Sequence, residues 1–255
     1  MGIQLDPELV DAIRAAESVV VMTGAGISAE SGIPTFRDEL TGMWENYDPE
    51  QLATPQAFER DPETVSRWYD QRRANIAKCE PNAGHQALAT LERWQTKDRG
   101  RRFTLLTQNI DGLHRRAGSA NVVELHGTIW RWRCTKTGRE REYRHIPFPS
   151  YPPLSEDGGL LRPAVVWFGE MLPEREMMTA QRECESCDVY FSIGTSTQVF
   201  PAAGLIQLAH ASGARTVEVN PETTPVSNLV DWSLRGPAGT VLPGLVERVM
   251  PPTGT

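Results

Sequence analysis

The chain has 255 residues with 26 Lys and Arg against 33 Asp and Glu, and its net charge of −7 excludes a general electrostatic attraction to phosphate backbones or anionic membranes. Apolar residues make up 39% and charged residues 23%, which suits one large domain with a smaller inserted module. No apolar run reaches the ~20 residues needed to span a bilayer, and the N-terminus lacks the basic start and apolar stretch of a secretory signal, so a cytoplasmic location is expected.

In chain order, Leu9, Val10 and Ile13 recur at helical spacing, and residues 18–23 form a short β-branched run of the buried-strand kind. That strand enters Gly24-Ala25-Gly26. A charged, aromatic segment over 38–81 reads as a helical insertion, followed by a helix over 85–94. Further short apolar strands are expected at 103–107, 121–125, 189–194 and 216–220, with a helix over 201–211. Between them, residues 130–161 are dense in Arg, Pro, Tyr and Gly and read as short strands and loops. The fold class predicted from this alternation is α/β, a Rossmann-like and mostly parallel sheet with helices on both faces, plus a smaller module built from two insertions. The large domain is assigned 1–37, 82–129 and 162–255, the helical insertion 38–81 and the small module 130–161. Arg131, Arg133, Lys136, Arg139, Arg141 and Arg144 fit a solvated hairpin face better than a patch for an acidic partner.

Strand-Gly24-Ala25-Gly26 makes a tight turn whose backbone N–H groups suit a pyrophosphate. The spacing Gly24, Gly26, Gly32 differs from that of hydride-transfer dehydrogenases, and no acidic residue at the end of a second strand is evident to hold a ribose. The loop alone is compatible with a nucleotide site or with a structural turn. Asn220-Pro221-Glu222, after a later strand, is a polar cluster that would serve a ribose instead.

The resemblance that decides between these readings lies in ordered blocks: Gly24-Ala25-Gly26-Ile27-Ser28 with Ser31-Gly32-Ile33-Pro34-Thr35-Phe36-Arg37, Gln108-Asn109-Ile110-Asp111-Gly112-Leu113-His114, Glu124-Leu125-His126-Gly127, Val165-Val166-Trp167-Phe168-Gly169-Glu170, Gly194-Thr195-Ser196, and Asn220. Together they resemble the sirtuin family over nearly the whole chain. The resemblance implies an NAD-dependent protein-lysine deacylase that consumes NAD as co-substrate and releases nicotinamide and an O-acyl-ADP-ribose. It assigns the cofactor to Gly24, Ala25, Gly26, Ile27, Phe36, Arg37, Gln108, Asn109, Ile110, Asp111, Gly194, Thr195, Ser196, Asn220, Pro221, Glu222 and Ala238.

That chemistry requires a shielded nicotinamide and a base titrating near neutral pH to activate a ribose hydroxyl. Asn109 and Asp111 are suited to hold the carboxamide, Phe36 to cover the reactive face, and His126 matches the family's catalytic base. Asp111 is also placed to cap the helix that follows it. His85 and His114 read as structural or supporting residues. The acyl-lysine is expected at Val166, Phe168, Gly169 and Glu170, where a tunnel and an extended edge would receive a peptide.

Tyr69 and Arg72, three residues apart on a helix, share one face and together suit a carboxylate, like the Tyr-x-x-Arg of the sirtuin branch that accepts succinyl and malonyl lysine. The alternative is a pair of ordinary solvated arginines, Arg72 and Arg73. Many sirtuins carry zinc on two Cys-x-x-Cys pairs in the small module, but here Cys134 stands alone, with Thr137 at the second position and Cys184 and Cys187 beyond the module. Zinc is therefore expected to be absent. Acylated-lysine proteins are the expected partners of a monomer. An ADP-ribosyltransferase and a non-catalytic NAD-responsive module are the competing functions; the second conflicts with the presence of Asn109, Asp111 and His126 together.

Overall fold

The computed structural model describes residues 5–34 and 52–250. Phe36 and Arg37, assigned above to the cofactor, lie outside these residues. Helix α1 (Pro7–Ala15) starts where Asp6 accepts a hydrogen bond from the Glu8 N–H and proline occupies the first turn, and it buries Leu9, Val10 and Ile13. It leads into β1 (Ser18–Thr23), buried at every position. Helices α2 (Pro55–Arg60), α3 (Pro62–Ile76) and α4 (Ala83–Arg93) precede β2 (Arg102–Thr107). Then come α5 (Leu113–Arg116), β3 (Val122–Glu124), β4 (Gly127–Cys134), β5 (Glu140–Glu142), β6 (Leu161–Val165), α6 (Glu174–Glu185), β7 (Val189–Ile193), α7 (Leu205–Ala211), β8 (Arg215–Val219), β9 (Trp232–Leu234) and α8 (Ala238–Val249).

The larger sheet has the order β3-β2-β1-β7-β8-β9 and all its pairings are parallel. Alternate residues of β1 enter different cores: Val19 and Val21 join α1, α4 and α8 on one face, Val20 and Met22 join α6 and α7 on the other. A strand covered on both faces needs apolar residues throughout, hence the unbroken run. The predicted doubly covered α/β fold is the observed one. The edge strand β9 was not foreseen, since three half-exposed residues carry little pattern.

The small sheet, ordered β5-β4-β6, is antiparallel. The expected module boundaries at 130 and 161 fall inside it, because β4 begins at Gly127 and β6 runs on to Val165. Residues 162–165, assigned from the sequence to the large domain, lie in β6, which pairs with β4 at Cys134↔Leu161 and Gly127↔Val165. Gly127 is required at that crossing: its φ is 72° and a Cβ there would lie 2.1 Å from the Ala164 carbonyl oxygen.

The helical insertion and the small module share one core, in which Phe58, Trp68 and Tyr69 meet Trp130, Trp132, Phe148 and Trp167. A buried ion pair fastens them. Arg73 is fully buried, donates to Asp70 at 2.7 Å and to the carbonyls of Tyr143 and His145, and lies over the Phe148 ring at 4.8 Å. Asp70 in turn accepts from the Phe148 N–H and from the Tyr151 hydroxyl. Arg73 is thus a structural staple of the module, unlike the solvated arginine weighed from the sequence. The exposed arginines of the β4–β5 hairpin pair with carboxylates, Arg131 and Arg133 with Glu140, and Arg141 with Glu156.

Candidate functional site

The direction in which successive strands are added reverses between β1 and β7, so the carboxyl ends of these two strands open the crevice where such sheets bind ligands. Both strands end in a glycine loop, and the loops touch. Gly26 donates its N–H to the Gly194 carbonyl at 2.8 Å, and a Cβ on Gly26 would meet the Gly194 backbone at the same distance. The glycines are required first by this loop-on-loop packing, which brings Gly24, Ala25, Gly26 and Ile27 beside Gly194, Thr195 and Ser196.

The loop after β2 closes the crevice. Gln108 donates its side-chain amide to the Thr195 hydroxyl at 3.0 Å, and Asn109 donates to the Gly24 carbonyl at 3.1 Å and to the Ser28 hydroxyl oxygen at 3.2 Å. After β8, Asn220 donates to the Thr195 carbonyl at 3.0 Å. Pro221 and Glu222 form the exposed turn beyond it, and Arg235 holds the Glu222 carbonyl at 2.6 Å. Ala238 is buried at the start of α8, where the adjacent Gly239 N–H is held by the Glu30 carboxylate. Four strand ends therefore supply backbone N–H groups, amides and hydroxyls around one crevice. These amides and hydroxyls bond to one another and to the loop carbonyls across it, and Thr197, at φ 53°, lies in the left-handed region beside them.

Behind the crevice is a buried polar cluster that the sequence reading only partly anticipated. Asp111 is 4% exposed; it accepts from the Ser28 hydroxyl at 2.8 Å and from the Leu113 N–H at 2.8 Å. The N-cap position of α5 is Gly112 rather than Asp111, which stands one residue earlier and accepts one first-turn N–H, and Ser28 and the Asn109 amide are positioned through the same carboxylate. Burial pushes its carboxyl above the ordinary range despite those hydrogen bonds. The rings of His85 and His114 lie tilted against each other at 4.8 Å between centroids, with His85 Nε2 3.4 Å from Ser28 Oγ and His114 Nε2 2.9 Å from Thr23 Oγ1. Ser28 was visible only as a hydroxyl beside the glycine loop, and its partners are 57 and 83 residues away in sequence.

Burial lowers His85 to about 4 and, with the neighbouring imidazole adding to it, lowers His114 well below 6.5. The unfolded chain binds these protons as pH falls from about 6.5 toward 4, and the folded chain does not. Stability present above pH 6.5 is therefore lost on acidification, about 2 kcal/mol between pH 7 and 5 from His85 alone. Asp111, shifted the other way, offsets part of this only as pH approaches the carboxylate range. Thermal melts should show a midpoint several degrees lower at pH 5 than at pH 7. Equal midpoints would mean that the two imidazoles are not buried neutral.

His126 stands where the chain leaves the large sheet for the small one, between β3 and β4. Its Nδ1 lies 3.1 Å from the Gln108 carbonyl oxygen, which fixes Nδ1 as the protonated nitrogen of the neutral ring and leaves Nε2 as an acceptor. Burial lowers its pKa, only partly opposed by that carbonyl. Its own carbonyl accepts the Val166 N–H at 3.0 Å, which joins the imidazole to the segment that follows β6.

In that segment Val166 is half-buried, Phe168 is 43% exposed and Gly169 is exposed. Glu170, grouped from the sequence with the acyl-lysine edge, has its carboxylate engaged within the loop. Both its oxygens are held by Arg162, at 2.6 and 2.9 Å, and one also accepts the Trp167 N–H at 2.9 Å. Tyr69 is 2% exposed beneath the segment, its hydroxyl accepting from Trp167 Nε1 at 2.9 Å. The Arg72 guanidinium lies over the rings of Trp68 and Tyr69, at 4.8 and 5.5 Å. The structure thus brings Tyr69, with Arg72 beside it, against the segment that carries Val166 and Phe168, and that segment is joined to the His126 carbonyl.

The thiols do not assemble a zinc set. Cys134, in the small sheet, accepts from the Ser155 hydroxyl at 3.1 Å, whereas Cys184 and Cys187 are buried in the core between α6 and β7. Among the described residues no group of three or more His, Cys, Asp or Glu side chains is placed to hold a metal ion.

The model of the Sir2 family matches residues 24–201. An NAD-dependent protein deacylase of Aquifex aeolicus is 49% identical over 226 residues, covering 88% of this chain and 92% of that protein. NAD-dependent protein deacylase 1 of Archaeoglobus fulgidus is 46% identical over 246 residues, 96% of this chain and 98% of the relative. Among solved structures, a crystal structure of a Sir2 homologue in complex with NAD superposes with a TM-score of 0.91 at 46% identity, covering 97% of this chain and 95% of that one.

Proposed function

The chain belongs to the Sir2 family and is an NAD-dependent protein deacylase, and on that premise we propose that His126 is its catalytic base and that Tyr69 and Arg72 turn it toward acyl groups ending in a carboxylate. NAD supplies the ADP-ribosyl group that receives the acyl group when nicotinamide leaves. The protein residues orient and deprotonate. Asn109, fixed against Gly24 and Ser28, and the loop that Asp111 anchors would hold the nicotinamide end. The Thr195 and Asn220 loops would hold the adenosine half.

The observation that carries the role of His126 is its double attachment. Nδ1 is committed to the Gln108 carbonyl on the nucleotide side, and the His126 carbonyl is committed to Val166 on the substrate side. A ring held this way presents Nε2 to the junction between the two substrates, where a ribose hydroxyl must lose its proton. Because burial lowers its pKa from 6.5, the ring is neutral at pH 7 and ready to accept that proton. The acidic limb of kcat/KM against pH should accordingly lie below 6.5. A limb at or above 6.5 that disappears in His126→Gln would contradict this reading of the base.

The preference for acidic acyl groups rests on the position of α3. Tyr69 hydrogen-bonds the indole of Trp167, which lies between Val166 and Phe168, so the phenol sits beneath the acyl-lysine edge with Arg72 stacked beside it. A guanidinium and a phenol together match the charge and the two oxygens of a succinyl or malonyl carboxylate.

We further propose that the small module is held by its aromatic core and the Arg73–Asp70 pair, without zinc. Purified protein should contain far less than one zinc per chain by elemental analysis, and its melting midpoint should not move on treatment with a chelator. Stoichiometric zinc would contradict this.

A further inference from the structure

The segment from Val165 to Glu170 has no regular secondary structure beyond the end of β6, yet it must keep an extended edge at fixed distance from His126. Two of its N–H groups are anchored to neighbouring backbone, Val166 on the His126 carbonyl and Phe168 on the Ala53 carbonyl, 3.0 and 2.9 Å. Between them Trp167 points inward. Arg162, from β6, is 9% exposed, and its guanidinium carbon lies 3.4 Å from the centroid of the Trp167 ring. One nitrogen of the same guanidinium donates to the Val165 carbonyl at 3.1 Å, and two of them grip Glu170. Glu170 completes the loop by accepting the Trp167 N–H. Burial alone would raise the Glu170 carboxyl, but the Arg162 and Trp167 hydrogen bonds and the Arg162 charge hold it below the ordinary value.

We infer that Arg162 and Glu170 are positioning residues for acyl-lysine binding: together they clasp Trp167 and fix the Val166–Phe168 edge relative to His126, without touching the substrate themselves. A positive charge buried within a β-strand requires a partner, and this one is spent on holding a loop rather than on joining two elements of the large core. The fork geometry is specific to arginine. It stacks its plane on the indole while presenting two parallel N–H groups to the carboxylate, and a lysine ammonium cannot do both. Loss of the clasp leaves both glycine loops and the His126–Gln108 bond in place, so the effect should fall on the peptide and spare NAD.

The inference rests on the reading of Val166 and Phe168 as the acyl-lysine edge, and the variants separate the two. Arg162→Lys and Glu170→Gln would be assayed alongside Phe168→Ala, with KM measured for an acyl-lysine peptide and for NAD, and with a thermal melt of each variant. Both clasp variants should raise the peptide KM roughly tenfold while the NAD KM stays within about twofold. A residue with a merely structural role would lower the melting midpoint and the amount of active enzyme but would not split the two KM values. If Phe168→Ala raises the peptide KM and Glu170→Gln leaves it within twofold of the parent, the positioning role is wrong, whatever Arg162→Lys does. If Phe168→Ala also leaves the peptide KM unchanged, the edge itself has been misplaced and the inference falls with it.

Discussion

Replacing His126 by alanine should reduce NAD-dependent deacylation by about 10²–10⁴-fold, the usual contribution of a general base, with the acyl-peptide and NAD still bound. The substitution removes the imidazole held on the Gln108 carbonyl, while the Asn109–Gly24, Gln108–Thr195 and Asn220–Thr195 contacts do not involve the ring. Nicotinamide departure does not need a proton to be removed from the ribose, so peptide-dependent exchange of labelled nicotinamide into NAD should survive within about tenfold of the parent rate. Parallel loss of exchange and deacylation would mean that His126 acts earlier, or that the crevice collapses without it. Gln108 offers only its backbone to the imidazole, so Gln108→Ala is expected to leave that hydrogen bond intact and to act through Thr195 instead.

The second large effect concerns the acyl group. Arg72→Met keeps the length and apolar stem of the side chain and removes its charge. Desuccinylation should fall about 10- to 100-fold relative to deacetylation, in line with about 1 to 3 kcal/mol for leaving a buried carboxylate unpaired. Tyr69→Phe should act in the same direction and more weakly, since the phenol contributes one neutral hydrogen bond and its ring still packs against Trp68 at 4.7 Å. The competition assay that checks this presents equimolar acetyl and succinyl peptides to each variant and reads the product ratio. An unchanged ratio in Arg72→Met would show that the guanidinium serves the packing of Trp68 and Tyr69 alone.

The parts of the molecule that could be read from sequence are those dictated by short-range pattern. The run at β1, with residues directed alternately to two cores, announces a strand covered on both faces, and a glycine loop directly after it places the crevice. What the sequence concealed are contacts between distant segments. The Trp167–Tyr69 hydrogen bond joins residues 98 apart, and Asp111 reaches Ser28 across 83. Arg162 did leave a local signal, a charge within the apolar run Leu161 to Trp167, but no local rule says which carboxylate answers it. Arg73 misled for the opposite reason, because an arginine next to another on a polar helix reads as solvated until the module folds over it. No strand was expected over β6, whose composition suits either sheet, and only its pairing with β4 sets it in the small one.

The central claim is that lysine deacylation here is coupled to consumption of NAD at the crevice between the two glycine loops. Mass spectrometry of reactions containing a succinyl-lysine peptide tests it directly. One nicotinamide and one acylated ADP-ribose should appear for each lysine freed, only when NAD is present, and His126→Ala should suppress the acylated ADP-ribose together with the free lysine. Release of free succinate in the absence of NAD, or free lysine without an acylated ADP-ribose, would contradict the account.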